Sequence, residues 1–137
     1  MVYSKNIKVR GYHCDAYGHV NNARYLEFFE EARWQALEEA KVIELITKKG
    51  LLFFIVHIDL TFKKSVENNA EVRIETTLFQ HDRKTITFEQ RMISAQNMVT
   101  TVALVRFVLF DTATSRALRL TEEHLALFKS FEPDKSI

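Results

Sequence analysis

The sequence is short of four things, and each absence excludes something. Only one cysteine is present, Cys14, so no internal disulfide can form and a reducing compartment suits the chain. One proline and three glycines leave few points at which an element must break, so long regular helices and strands are expected. Neither sign of charge is in excess. With 19 Lys plus Arg against 18 Asp plus Glu, no global field draws the chain to nucleic acid or an anionic membrane. No apolar run approaches the ~20 residues needed to span a bilayer, and no basic n-region precedes an apolar h-region. One domain over residues 1–137 is expected, cytoplasmic, with neither a nucleic-acid nor a membrane partner.

What is present is apolar pattern. Hydrophobic residues make up 47% of the chain, including eleven Phe, which is enough for one core rich in aromatic volume. Residues 3–10 (YSKNIKVR) alternate, with Ile7 and Val9 against Lys8 and Arg10, as a strand does. From Arg24 the period changes: Leu26, Phe29, Ala32, Leu37 and Ala40 form one stripe, predicting an amphipathic helix to about residue 40. Asn21 or Asn22 is its expected N-cap. A short helix over 41–49 should end at Lys48 and Lys49 before Gly50.

Alternation then returns. Residues 54–62 place Phe54, Val56, Ile58, Leu60 and Phe62 on one expected face, opposite His57, Asp59 and Thr61. Residues 71–79 set Val72, Ile74 and Leu78 against Glu71, Arg73 and Glu75, and 85–93 carry Ile86, Phe88 and Met92. The run 98–110 is apolar on both faces, which marks a central strand or one covered by another subunit. Short turn-like connections predict an antiparallel meander of these four strands. A last helix is expected from Thr121 to before Pro133. A single apolar-faced sheet and one long helix bury their faces against each other, so the sheet must curl around the helix. That α+β architecture is the hotdog fold, and two such sheets joined edge to edge would make a dimer.

The bend KVRGYHCDAYGHVNNARYLEFFEEARW at 8–34 concentrates His13, Cys14, Asp15, His19, Asn21 and Asn22 where a strand becomes a helix. Three chemistries compete there. A metal site has ligand types in His13, Cys14, Asp15 and His19, but no second cluster at ligand spacing, since His57, His81 and His124 stand alone; no metal is expected. A Cys14 thiolate could attack a thioester with His13 or His19 as its base. Alternatively, the helix N-terminus offers unpaired N–H groups and partial positive charge to a carbonyl, with Asp15 upstream to reach the carbonyl carbon or a water beside it. Plain helix capping and loop bonding account for one or two of these residues but not for six in so short a stretch.

The segment DAYGHVNNARYLEFFEEARW at 15–34 resembles the acyl-CoA thioesterases of the hotdog superfamily, in the 4-hydroxybenzoyl-CoA thioesterase-like branch. The wider run from Lys8 looks most like the bacterial long-chain acyl-CoA thioesterase III group, and the basic pair Lys63–Lys64 fits as well. The resemblance implies hydrolysis of an acyl-CoA, medium- to long-chain, without a cofactor. It implies Asp15 as the catalytic carboxylate and the N–H at Asn22 as the group that polarises the thioester carbonyl. His19 matches a histidine in the related D-x-N-x-H-x-N-N motif of plant acyl-carrier-protein thioesterases, although Tyr17 stands where those have asparagine. A homodimer paired into a homotetramer is implied too. The alternatives are an acyl-carrier-protein thioesterase and a hotdog module that binds acyl-CoA without turning it over.

Other residues carry two readings each. Lys63, Lys64, Arg83 and Lys84 are candidates for the coenzyme A phosphates or ordinary turn charges. Phe28, Phe29, Trp34, Phe53 and Phe54 are candidates for an acyl tunnel or plain core. Glu27, Glu30 and Glu31 are expected on a solvated helix face or as a buried partner of Arg33 rather than as a second catalytic carboxylate.

Overall fold

A computed structural model describes residues 2–133; the expected domain's first residue and last four lie outside them. Strand β1 (Tyr3–Lys8) leads through a single 3-10 turn at Gly11–His13 into α1 (Asn22–Glu39) and α2 (Val42–Lys48). Four long strands follow: β2 (Leu51–Phe62), β3 (Glu71–His81), β4 (Thr85–Ser94) and β5 (Val99–Asp111). A two-residue strand β6 (Arg116–Ala117), helix α3 (Glu122–Ala126) and a 3-10 turn at Lys129–Phe131 are the last elements of the described residues. The expected final helix is therefore split in two, with Thr121 capping its first piece by accepting from the His124 N–H (3.3 Å).

The strands form one curled antiparallel sheet in the order β1-β3-β4-β5-β2, with β6 beside β5. This corrects the expected four-strand meander. Only β3, β4 and β5 follow one another, while β2 crosses over to pair with β5 and β1 takes the place beside β3. The eight residues between β2 and β3 make that crossover possible, since a hairpin joining neighbours needs only a few. β5 is interior, as its two apolar faces require.

A second correction concerns β2. A bulge between Ile55 and His57 shifts its register by one, so the even positions do not share a face. Ile55 pairs with buried Phe107 before the bulge and Ile58 with buried Val105 after it. Phe54 consequently sits with outward Val108 and Phe110, half-exposed, while Ile58 and Leu60 pack inward. The helix stripe also differs. α1 buries Tyr25, Phe28, Phe29, Ala32, Arg33, Ala36 and Leu37, an i, i+3, i+4 set, and leaves Leu26 exposed.

Two apolar clusters lie under α1. One gathers Phe88, Phe107, Phe128 and Phe131 near the start of β1; the other gathers Val9, Val20, Tyr25, Phe28 and Val66 near its end. A polar belt runs between them. Arg33 Nη1 donates to Gln90 Oε1 (3.0 Å), and Gln90 Nε2 donates to the Phe29 carbonyl and to Thr76 Oγ1 (3.0 Å each). Gln90 and Thr76 are fully buried, so each bond matters more than it would in water.

Candidate active site

The bend between β1 and α1 is built almost wholly from backbone hydrogen bonds. Residues 14–20 fold into a small hairpin: Cys14 pairs with Val20, and the Asp15 N–H donates to the His19 carbonyl (2.9 Å). Gly18 closes its turn at φ +78°, a conformation that L side chains rarely adopt. Its N–H donates to the Asp15 carbonyl (3.1 Å), while Asp15 Oδ1 accepts from the Tyr17 N–H (2.9 Å). The hairpin is laid against residues 66–68 by the Val20 N–H to the Val66 carbonyl (2.7 Å) and by pairing of His19 with Glu67.

The helix begins where the hairpin ends. Asn21 is the N-cap: its side chain accepts from the Ala23 N–H (3.0 Å) and its carbonyl from the Arg24 N–H (2.8 Å). Asn22 is the first helical residue, and its N–H meets no acceptor among the described residues. It stands at the positive end of an eighteen-residue helix. Asp15 is exposed, with one carboxylate oxygen held by its own turn and the other without a donor among the described residues. A carboxylate fixed in a turn and an unengaged N–H at a helix start therefore belong to one continuous loop.

Cys14 lies on the other side of the segment. Half-buried, it packs against the Val9–Tyr25 cluster with Sγ 3.7 Å from the Arg10 carbonyl. Neighbours in an extended stretch point oppositely, so the thiol faces the core where the carboxylate faces out. His13 is committed to structure. Its Nδ1 accepts from the Arg10 N–H (2.9 Å), its carbonyl accepts from the Asn21 N–H (2.9 Å), and its ring meets the Phe28 edge (4.7 Å). Burial, and then the nearby Arg24 charge, lower its pKa, which favours the neutral ring that this acceptor role needs. His19 is half-buried and makes no side-chain hydrogen bond among the described residues. Nor does any group of three or more His, Cys, Asp or Glu side chains among those residues converge as a metal site would.

Tyr25 went unread in the sequence. Its buried phenol hydrogen-bonds the Val66 backbone and the Thr101 hydroxyl, tying the first turn of α1 to β5 and to the loop under the hairpin. Burial raises its pKa, and the negative charge of Asp15 raises it further. The signal was present, since Tyr25 leads the i, i+3, i+4 set with Phe28 and Phe29.

The two basic pairs separate. Lys63 and Lys64 leave β2 at the hairpin end, both backbone N–H groups donating to the Thr100 carbonyl (2.8 and 3.0 Å). Arg83 and Lys84 occupy the β3–β4 turn at the other end, the length of β4 away, ~30 Å at the usual strand rise. Of the aromatic candidates, Phe28 and Phe29 are core, and Phe54 stacks on Phe110 on the outer face (4.6 Å). Trp34 and Phe53 do line a groove between α1 and β2, of about 280 Å³, with Leu26, Leu37, Glu30 and Arg33. Glu27 pairs with Arg24 (2.9 Å), Glu30 accepts from Trp34 Nε1 (3.3 Å), and Glu31 is exposed. The partner of Arg33 is Gln90 rather than a glutamate.

Comparison with known proteins gives one answer. Residues 9–128 match the thioesterase-like superfamily. The long-chain acyl-CoA thioesterase FadM of Escherichia coli is 39% identical over 118 residues, covering 85% of this chain and 89% of that protein. The acyl-CoA thioesterase YbgC of Haemophilus influenzae is 27% identical over 116 residues, covering 83% and 85%. Among solved structures, the probable thioesterase YbaW of E. coli superposes with a TM-score of 0.90 at 35% identity, covering 96% of this chain and 99% of that one.

Proposed function

The chain belongs to the thioesterase-like superfamily, and from that premise we propose that it hydrolyses long-chain fatty acyl-CoA thioesters to the free acid and coenzyme A. Acyl-CoA hydrolysis is the activity named for both curated relatives. The observation that carries the reading in this chain is the pairing, within one loop, of the exposed Asp15 carboxylate with the unengaged Asn22 N–H.

The Asn22 N–H, at the positive end of α1, polarises the thioester carbonyl and holds the oxyanion that forms when a nucleophile adds. Asp15 activates that nucleophile by taking a proton from water as the water oxygen bonds to the carbonyl carbon. Collapse of the adduct breaks the carbon–sulfur bond, and the proton passes to the departing thiolate. Tyr25 fixes the first turn of α1 against Val66 and Thr101, and His19 shapes the hairpin through its backbone pairing. Lys63 and Lys64 stand at the same end for the coenzyme A phosphates, while Arg83 and Lys84 would have to come from a second subunit.

That second subunit has a place to dock. β2 is the open edge of the sheet, twelve residues long, and Leu52, Phe54, Ile55, Val56 and Phe62 on it are exposed. An unpaired apolar edge of that length is an aggregation template, so β2 pairs with β2 of a second copy in a homodimer. Phe54 and Phe79 on the outer face then serve to join dimers into a homotetramer. Sedimentation at assay concentrations checks this, and a stable, active monomer would contradict it.

The test of activity is thiol release over a panel of acyl-CoAs of increasing chain length. Each methylene buried contributes about 0.8 kcal/mol, so kcat/KM should climb with chain length until the groove is full. Absence of turnover on every chain, with tight binding retained, would sink the reading.

A further inference from the structure

Arg33 is a buried cation with no carboxylate beside it. Its side chain is 7% exposed, yet it belongs to none of the ion pairs among the described residues. A guanidinium carries five N–H donors, and here only Nη1 is engaged, by Gln90. Every fully buried side-chain nitrogen or oxygen among the described residues has a partner. Nε and Nη2 have none and therefore border open space. Arg33 lines the groove between α1 and β2. Keeping a guanidinium out of water is costly unless its donors are met, so an unmet fork on an apolar wall has a recognisable use.

The groove starts one turn from Asn22, at Leu26, and continues past Trp34 to Leu37 with Phe53 facing them. It is thus placed to take the acyl chain of a thioester held at the start of α1. Arg33 lies eleven residues beyond Asn22, ~16 Å along the axis, and helical side chains lean back about one turn. An extended chain advances about 1.2 Å per bond, as the ~3.5 Å reach of a three-bond peptide residue shows. The unmet donors therefore fall some nine to thirteen bonds from the carbonyl by these rises.

We infer that Arg33 is a specificity residue, which receives the oxygen of an acyl chain hydroxylated or oxidised to a ketone far from the thioester. This rests on the thioesterase reading above. The acceptor is neutral because Glu30 lines the same groove and would repel a second carboxylate. Burial lowers the Arg33 pKa and Glu30 opposes it, consistent with a cation whose charge is balanced at a distance rather than by contact.

The experiment is thiol release from four octadecanoyl-CoAs: unsubstituted, or hydroxylated at the third, tenth or twelfth carbon. In the wild type, kcat/KM for the tenth- or twelfth-carbon isomer should exceed that for the third-carbon isomer by about tenfold or more, the scale of one hydrogen bond to a charged donor. Arg33→Met should turn that preference into a penalty, since the hydroxyl then enters an apolar groove unpaired. A dicarboxylic chain of equal length should gain nothing from Arg33. Turnover that ignores hydroxyl position in the wild type overturns the inference and leaves the thioesterase reading standing. Failure to turn over any of the four overturns both. If Arg33→Met does not fold, the wild-type series still decides, and Arg33→Lys should retain a reduced preference; a Lys variant as selective as the wild type would overturn the guanidinium as the reader.

Discussion

The two ends of the sheet are closed by different forces. At one end Phe88, Phe107, Phe128 and Phe131 are all buried, with Phe88 stacked on Phe131 (4.7 Å) and set against the Phe107 edge (5.0 Å). At the other, the chain crosses over itself through backbone hydrogen bonds of the 9–21 and 66–70 segments and leaves Asp15 and Asn22 exposed. Ring burial supplies stability without asking for particular polar geometry. Backbone bonding in the hairpin supplies geometry at the cost of exposed loops, the usual place for function on a rigid scaffold. The comparison teaches that an end secured by rings frees the opposite end to hold a carboxylate and an unused N–H in place.

The sharpest way to break this division is at the aromatic end. Phe88→Ala should cost about 3–5 kcal/mol in denaturant unfolding, the scale for emptying a fully packed ring site. Activity per folded molecule should not change; a loss of kcat beyond the folded fraction would show the ends to be coupled. Next in size is the belt between them. Gln90→Leu strands Arg33 and Thr76, at about 1–3 kcal/mol for each group left unpaired. Chemical denaturation reads this, and an unchanged midpoint would mean that the belt bears no load.

At the site end, Asn21→Ala removes the cap on the Ala23 N–H and should cost about 1 kcal/mol. The smallest effect concerns His13. Its folded pKa is lowered from 6.5, so the unfolded chain binds the extra proton first. Its contribution to stability is then complete above the ordinary value and is lost as pH falls below it towards the lowered folded pKa. Thermal unfolding scanned from pH 7 downward should show this slope in the wild type and less of it in His13→Gln. Equal slopes would remove His13 from the account.

Much of this was legible in the sequence, and the reasons for the rest are physical. The first half of β3 alternates because one face meets the core and one faces outward, so period two survives in Val72 and Ile74, while β4 keeps its apolar inner set, Ile86, Phe88 and Met92, although Thr87 and Ile93 are buried as well. The β2 bulge was not legible, because Val56 is as apolar as its neighbours and the register is fixed only by pairing with β5. Strand order escaped for the same reason: it depends on β1 claiming the edge of β3, a contact between residues 63 to 73 apart in sequence. Arg33 is expected to take a buried partner from Glu27, Glu30 or Glu31 and instead meets Gln90, since nothing local announces a buried amide on a distant strand. The candidate site, by contrast, is contiguous in sequence. Asp15, His19 and Asn22 lie within eight residues, and the turn and cap bonds that shape the stretch are short-range, although the 66–70 segment braces it from a distance.

The most direct test of the account is Asp15→Asn, nearly isosteric and able to keep the bond from the Tyr17 N–H through its side-chain oxygen. Measured on one preparation, kcat for long-chain acyl-CoA should fall by at least ~10²-fold, while acyl-CoA binding and the unfolding midpoint stay at the wild-type values. Cys14→Ser, on the core side of the same segment, should keep most of the activity. Turnover retained in Asp15→Asn with Cys14→Ser inactive would contradict the carboxylate mechanism and put the thiol in its place.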